Sequence, residues 1–326
     1  MLQKYFPGIG LSFVIALFSI FLGQVFPLFG SSVFAILLGI LLNHFWKIPP
    51  KFRQGLAFSG KKLLQYSIIL LGFSLSISKV SATGLSSLKI SIITILMAFL
   101  SAYAVGRFLG MSKVLTLLIG FGTAICGGSA IAAASPVLEA KEEEVALSIS
   151  TIFFFNILAV FIFPFLGHLM QMSATTFGTW AGTAINDTSS VVAAGYSYSQ
   201  TAGDLATIVK LSRALMIVPT CLLFAGVRYI RSKSTKKKIE LKKIFPWFIL
   251  WFMCASLISS LRIVPSFFLV FTKVSSQWFM AMALAGIGTQ VSFGQFKRAG
   301  VAPLLTGAFA WFVVAVTSLI IQYFFR

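Results

Sequence analysis

Apolar stretches follow one another along this chain with only short polar breaks between them, at 8–28, 31–46, 62–78, 87–107, 114–138, 145–166, 177–196, 203–228, 244–261, 274–292 and 300–323. Most approach the ~20 residues that cross a ~30 Å hydrocarbon layer as a helix. A backbone in lipid must satisfy its own polar groups, so only helices and closed barrels span a membrane. The strict alternation of barrel strands is absent, and the pattern predicts an all-α polytopic membrane protein of about 10–11 transmembrane helices. Two stretches fit less simply: 177–196 is polar enough to be a re-entrant hairpin, and 264–272 fits a segment lying in the interface. The start, MLQKYFPGIGLSFVIALFSIFLG, imitates a secretory signal, but no small-residue cleavage site follows and it is read as the first retained helix.

Composition agrees. With 58% hydrophobic and 10% charged residues among 326, the chain is too apolar for a soluble domain. A net charge of +19 would suggest nucleic acid in a soluble protein. Here the bases gather between apolar spans, chiefly in KIPPKFRQGLAFSGKK at 47–62 and RYIRSKSTKKKIELKK at 228–243. That is the positive-inside pattern of a multi-pass protein of the plasma membrane. It places both loops, Lys297, Arg298 and the N-terminus in the cytoplasm and the C-terminus outside, with lipid and not nucleic acid as the partner. Cys126, Cys221 and Cys254 all lie in apolar segments without metal-ligand spacing, which argues against a disulfide framework or zinc site.

One phrase is written twice: GTAICGGSAIAAA at 122–134 and GTAINDTSSVVAA at 182–194. A second pair, LLGFSLSISKVSATG at 70–84 and LAGIGTQVSFGQFKRAG at 284–300, falls on spans of opposite direction. The chain is therefore expected to be one transmembrane domain over 1–326, with inverted repeats, halves near 8–140 and 145–326, and interrupted helices, as in secondary transporters. The GTAI copies conflict with that scheme. With one span between them they run parallel unless one is a hairpin.

Gly127 and Gly128 in mid-span are a natural place to unwind. A helix restarting at Ser129 would present its first amides and a hydroxyl to an anion; alternatively the small residues only allow close helix packing. The second copy puts Asn186, Asp187, Thr188 and Ser189 at the same place. Of seven acidic residues, Asp187 alone falls inside a predicted span, and a carboxylate there is expensive enough to need a partner or a function. TIVKLSRALMIVP in the next span places Lys210 and Arg213 three residues apart, on one helix face. An ion pair from Asp187 to either would be structural or part of transport, and the spare positive charge suits an anionic solute. EAKEEE at 139–144 reads as a solvated helix start. His44 and His168 form no cluster, and Asn156 reads as a tie between helices. No P-loop, nucleophile elbow or HExxH is present, so neither ATP-driven transport nor an enzyme is expected. No cofactor is implied beyond coupling to H+ or Na+.

At GTAICGGSAIAAASPVLEAKEEE, WAGTAINDTSSVVAAG and VKLSRALMIVP, and again at AGIGTQVSFGQFKRAGVAPLL, the chain resembles the YeiH-type family of conserved bacterial membrane proteins, from about residue 10 to its C-terminus. The resemblance implies that Gly122, Cys126, Gly127, Gly128, Ser129, Asp187, Lys210 and Arg213 belong to the family's central motifs, and that the activity is sulfate export. Some branches have a His-Glu pair where this chain has Asn186-Asp187, so a histidine relay is not expected. The combined expectation is a secondary transporter, an exporter of sulfate, sulfite or a sulfonate. The rivals are a cation/proton antiporter using Asp187 and a non-transporting scaffold or sensor. Homo-oligomerisation stays open.

Overall fold

The computed structural model describes residues 4–26, 30–46, 48–232, 245–261, 263–291 and 300–324. Lys297, Arg298, most of the 228–243 loop and the end of the 284–300 motif lie outside the described residues. Among those described, every regular element is helical. Six helices are long and apolar enough to cross a membrane: Phe6–Val25, Ile77–Phe108, Glu142–Leu169, Gln200–Val227, Ser266–Gly288 and Val301–Phe324. Their patterning is inverted relative to a soluble protein. Phe13, Phe18 and Phe21 point outward from the first helix, while Ser12 and Ser19 on the same helix are fully buried. Outward apolar bulk on this scale needs a lipid surround, so the chain is a multi-pass membrane protein.

The chain divides into two units, Met1–Thr83 with Tyr196–Gly203 and Trp247–Phe293, and Gly84–Gly195 with Asp204–Pro246 and Gly294–Arg326. The first contains α1 (Phe6–Val25), α2 (Gly30–Trp46), α3 (Pro50–Phe58), a π-helical turn at Ser59–Leu63, α4 (Leu64–Gly72), α13 (Trp247–Ser260) and α14 (Ser266–Gly288). Lipid supplies no hydrophobic drive between helices, so small residues and hydroxyls do the joining. Gly8 meets Gly55 so closely that a Cβ at Gly8 would lie 2.2 Å from Phe52 O. Ser12 and Ser59 share a hydrogen bond of 2.9 Å, and Ser276 Oγ donates to Ser67 O at 2.7 Å. The stretch 264–272 is not a separate interfacial segment: α14 starts at Ser266 behind a proline N-cap and runs through it.

The second unit takes most of α5 (Ile77–Phe108), then α6 (Lys113–Ala124), α7 (Gly128–Leu138), α8 (Glu142–Leu169), α9 (Ala174–Ala184) and α10 (Thr188–Tyr198). It continues with most of α11 (Gln200–Leu215), α12 (Ile217–Ser232) and α15 (Val301–Phe324). The break between α11 and α12 at Met216 follows from Pro219, which has no N–H to give and crowds the carbonyl four residues back. Two further expected spans, 114–138 and 177–196, are each split into helices of only 11 or 12 residues.

Candidate functional site

The site grows from those two splits. Ser112 caps α6 by accepting Leu115 N–H at 3.1 Å, and the helix runs until Ala124. There the chain leaves helical geometry at Ile125 and turns through Gly127 at φ 67°, ψ −133°, a conformation that side chains other than glycine's rarely adopt. The helix then restarts as α7 at Gly128. It does not continue outward. A Cβ at Gly122 would lie 2.9 Å from Ile131 Cδ1, nine residues on, which a continuous helix at 1.5 Å per residue would not allow. By Glu144 the chain is back at its starting level, where the Ser112 hydroxyl donates to the Glu144 carboxylate. The segment α6–α7 is therefore a helical hairpin.

The second copy repeats the manoeuvre from the other end. Ser173 caps α9, accepting Thr176 N–H at 3.2 Å, and α9 ends at Ile185, which is extended. After Asp187 the chain returns as α10. Gly182 packs on Ala206 and Val209 of α11, and the Tyr196 ring lies against Gly203, which brings α9 and α10 side by side along the start of α11. α8 fixes the directions. Ser112 lies beside Glu144 and Gly122 beside Ile152, so α6 runs with α8. Trp180 stacks on Phe163 at 4.2 Å between ring centroids and Asp187 N–H donates to Asn156 Oδ1 at 3.2 Å, so α9 runs against it. Asn156 sits midway along α8, and there the hairpins meet tip to tip: a Cβ at Gly127 would lie 3.2 Å from Asp187 Cβ. The two GTAI copies thus run in opposite directions, as an inverted repeat requires, because both are hairpins.

Four helix ends converge at these tips, and their partial charges are answered one by one. A helix C-terminus carries roughly −0.5 charge on free carbonyls and an N-terminus roughly +0.5 on free amides. Lys210 and Arg213, both fully buried, serve the C-terminal ends. Lys210 Nζ donates to Ile125 O of the first tip and Ile185 O of the second, 2.8 Å each. Arg213 Nε donates to Ala124 O at 2.5 Å and Nη2 to Thr123 O at 3.3 Å. The ion pair expected between Asp187 and either base is not formed. Carbonyl oxygens at the helix ends outcompete the acid for these cations, since both bases project from α11 directly onto them. Asp187 serves an N-terminal end instead. Its Oδ2 accepts Ser189 N–H at 3.0 Å and the Ser189 hydroxyl as well, which caps α10.

The fourth end, the start of α7, has no side-chain cap. Helix geometry resumes at Gly128, one residue before the expected Ser129. Gly128 is half-buried, and a Cβ there would meet nothing within 4 Å. Ser129 is exposed, but its hydroxyl turns back to Cys126 O at 2.9 Å rather than forward. Thr188 is half-buried beside Asp187. The candidate residues thus come together at one place, in two different roles: Lys210 and Arg213 on carbonyl ends, Gly127 to Ser129 and Asn186 to Ser189 on amide ends.

Around the tips lie buried polar atoms without a hydrogen-bond partner: Thr123 Oγ1, Asn156 Nδ2, both amide atoms of Asn186, and Arg213 Nη1. Each such atom costs about 1–3 kcal/mol, so their concentration here marks the tips as a place not optimised for stability. Asn156 does tie helices, but what it ties is the backbone of the second tip. Its signal in the sequence was only an amide in the middle of an apolar span. Among the described residues no three His, Cys, Asp or Glu side chains gather as a metal site.

A unit of membrane-spanning helices with two opposed hairpins, half-helix ends at their meeting point and buried bases neutralising those ends belongs to an all-α polytopic membrane protein. The chain belongs to the family described as Conserved hypothetical protein 698, whose model matches residues 7–307, in agreement with the resemblance carried by the central motifs. It is 43% identical over 329 residues to a UPF0324 membrane protein of Streptococcus pneumoniae, covering 98% of this chain and 97% of that one. It is 41% identical over 336 residues to a UPF0324 membrane protein of Clostridium tetani, covering 98% and 97%. A relative in Streptococcus agalactiae, also a UPF0324 membrane protein, is 40% identical over 330 residues, covering 99% and 98%.

Proposed function

We propose that the chain is a secondary active transporter of a small oxyanion, of the sulfate, sulfite or sulfonate kind, held at the start of α7 where the two hairpin tips meet. It acts in the plasma membrane with its N-terminus in the cytoplasm. One observation carries this reading: of the four helix ends at the tips, only the start of α7 lacks a side-chain partner, and its first residue, Gly128, borders open space. Free amides with a partial positive charge are an anion site in their own right, and Lys210 and Arg213 supply net positive surroundings without occupying the ligand position. Broken half-helices aimed at a mid-depth site are the transporter arrangement.

An oxyanion bound there raises the thermal stability of the detergent-solubilised protein, by ~2.7 kcal/mol at a hundredfold excess over its dissociation constant. Gly128→Leu places a side chain in the open position, where a Cβ meets nothing within 4 Å. It abolishes the stabilisation by sulfate, sulfite and isethionate while leaving the ligand-free melting temperature within a few degrees. The antiporter reading rests on a different observation, the half-buried Asp187 carboxylate, of which only Oδ2 is hydrogen-bonded. Stabilisation by sodium, with none by any of the three anions, would favour it instead.

A further inference from the structure

We propose that Asp187 carries a proton together with the anion, so that proton and anion cross in the same direction; the inference rests on the anion reading above and adds the coupling to it. Asp187 lies against the start of α7: its Oδ1, which accepts no hydrogen bond, would be 3.5 Å from a Cβ placed on Gly127. An anion on the amides of Gly128 and Ser129 would therefore sit on the order of 6 Å from the carboxylate. Two unit negative charges at that separation in an effective dielectric near 20 weaken one another's binding roughly a hundredfold. A proton on Oδ1 removes the conflict. Asp187 on the start of α10 and the anion on the start of α7 thus repel one another, and each anion is held best when the acid is neutral.

The surrounding groups direct this role to Asp187. Lys210 and Arg213 face the tips from α11 and are fixed on carbonyl oxygens. Cys126, on the facing tip, accepts the Ser129 hydroxyl. Asn156 from α8 and Ser189 from α10 do not titrate. Sodium is poorly served by the same geometry. A hard cation wants about six oxygens, yet the carbonyls of Thr123, Ala124, Ile125 and Ile185 are taken by the two bases. Three donors remain unpartnered at the tips, Arg213 Nη1, Asn186 Nδ2 and Asn156 Nδ2, beside Asn186 Oδ1 and the Thr123 hydroxyl. The Asn156 amide, 3% exposed, accepts Asp187 N–H at the second tip through its Oδ1, and its Nδ2 is left without a partner beside the meeting point of the tips. In the step itself a proton from bulk water bonds to Oδ1, the anion binds, and on the far side both return to solvent, with no change in electron count. An inward proton gradient then drives the anion inward, opposite to the export the family resemblance implies.

The test is proton uptake on binding. The full chain in weakly buffered detergent with a pH-sensitive dye, scanned from acid to neutral pH, takes up protons on binding sulfate or isethionate, and affinity falls with rising pH by about a hundredfold in all, the size of the coupling. Asp187→Asn binds the same anion with affinity independent of pH and takes up no proton. Asp187→Glu restores the uptake, which shows that the loss is not misfolding. Replacing sodium by choline changes nothing. Anion binding without proton uptake in the wild type, uptake that survives Asp187→Asn, or binding that requires sodium overturns the coupling and leaves the anion site standing. A wild type stabilised by none of the three anions overturns the anion reading, and this inference with it.

Discussion

Lys210 is the residue on which the geometry of the site turns. Its ammonium holds one carbonyl from each hairpin tip. Lys210→Met keeps the length and removes the donor, leaving Ile125 O and Ile185 O unsatisfied in a water-poor interior at about 1–3 kcal/mol each. The variant should lose several degrees in melting temperature even without ligand, whereas Gly128→Leu should not; differential scanning fluorimetry in detergent separates the two. Lys210 and Arg213 were legible in the sequence as buried bases on one helix face, and Asp187 as a lone acid at membrane depth. Their partners were not. Charge counting pairs acids with bases because side chains are what a sequence shows, whereas the strongest acceptors near these cations are backbone carbonyls, which every residue has. They become special only where a helix stops.

At the scale of elements, the repeated phrase and the glycine pair announced both interruptions, yet hydropathy could not give the direction taken after them. A run such as 114–138 is long enough for one full crossing or for two half-length helices folded together, and the two have the same composition. What decides is tertiary: Ile131 packed against Gly122, Glu144 returned to Ser112. Turning both segments into hairpins reverses α8 relative to simple alternation and carries the acidic turn at 139–144 to the same side as Lys113. In a background with Cys126, Cys221 and Cys254 replaced, single cysteines at Lys113 and Lys141 should both be labelled from one side by an impermeant maleimide, and one at Gln171 from the other. Labelling of 113 and 141 from opposite sides would mean that α6–α7 crosses the membrane. The Glu144 carboxylate joining Ser112 to the Lys141 backbone would then have to be broken.

For the whole molecule, the class was plain from the succession of apolar runs, and the family from three motifs in order; the division into two units was not, because nothing in local composition marks where α5 and α11 pass from one to the other. The Lys210 bridge has a further consequence, which concerns manufacture. It joins residues 85 and 25 positions apart in the chain, and chains emerge from ribosomes at about 5–20 residues per second. The first hairpin is therefore made roughly 4–17 s before the cation that will satisfy its carbonyls exists. During that interval its tip cannot rest in lipid, where free backbone groups are prohibitively costly. It must wait in a wetter place, at the membrane surface or inside the insertion machinery, until α11 arrives. A chain truncated after Ser199 should leave α6–α7 open to added protease in membrane vesicles, while one extended to Phe245 should protect it. Folding order in this protein is then set not by which segment is most hydrophobic but by when one ammonium group is delivered.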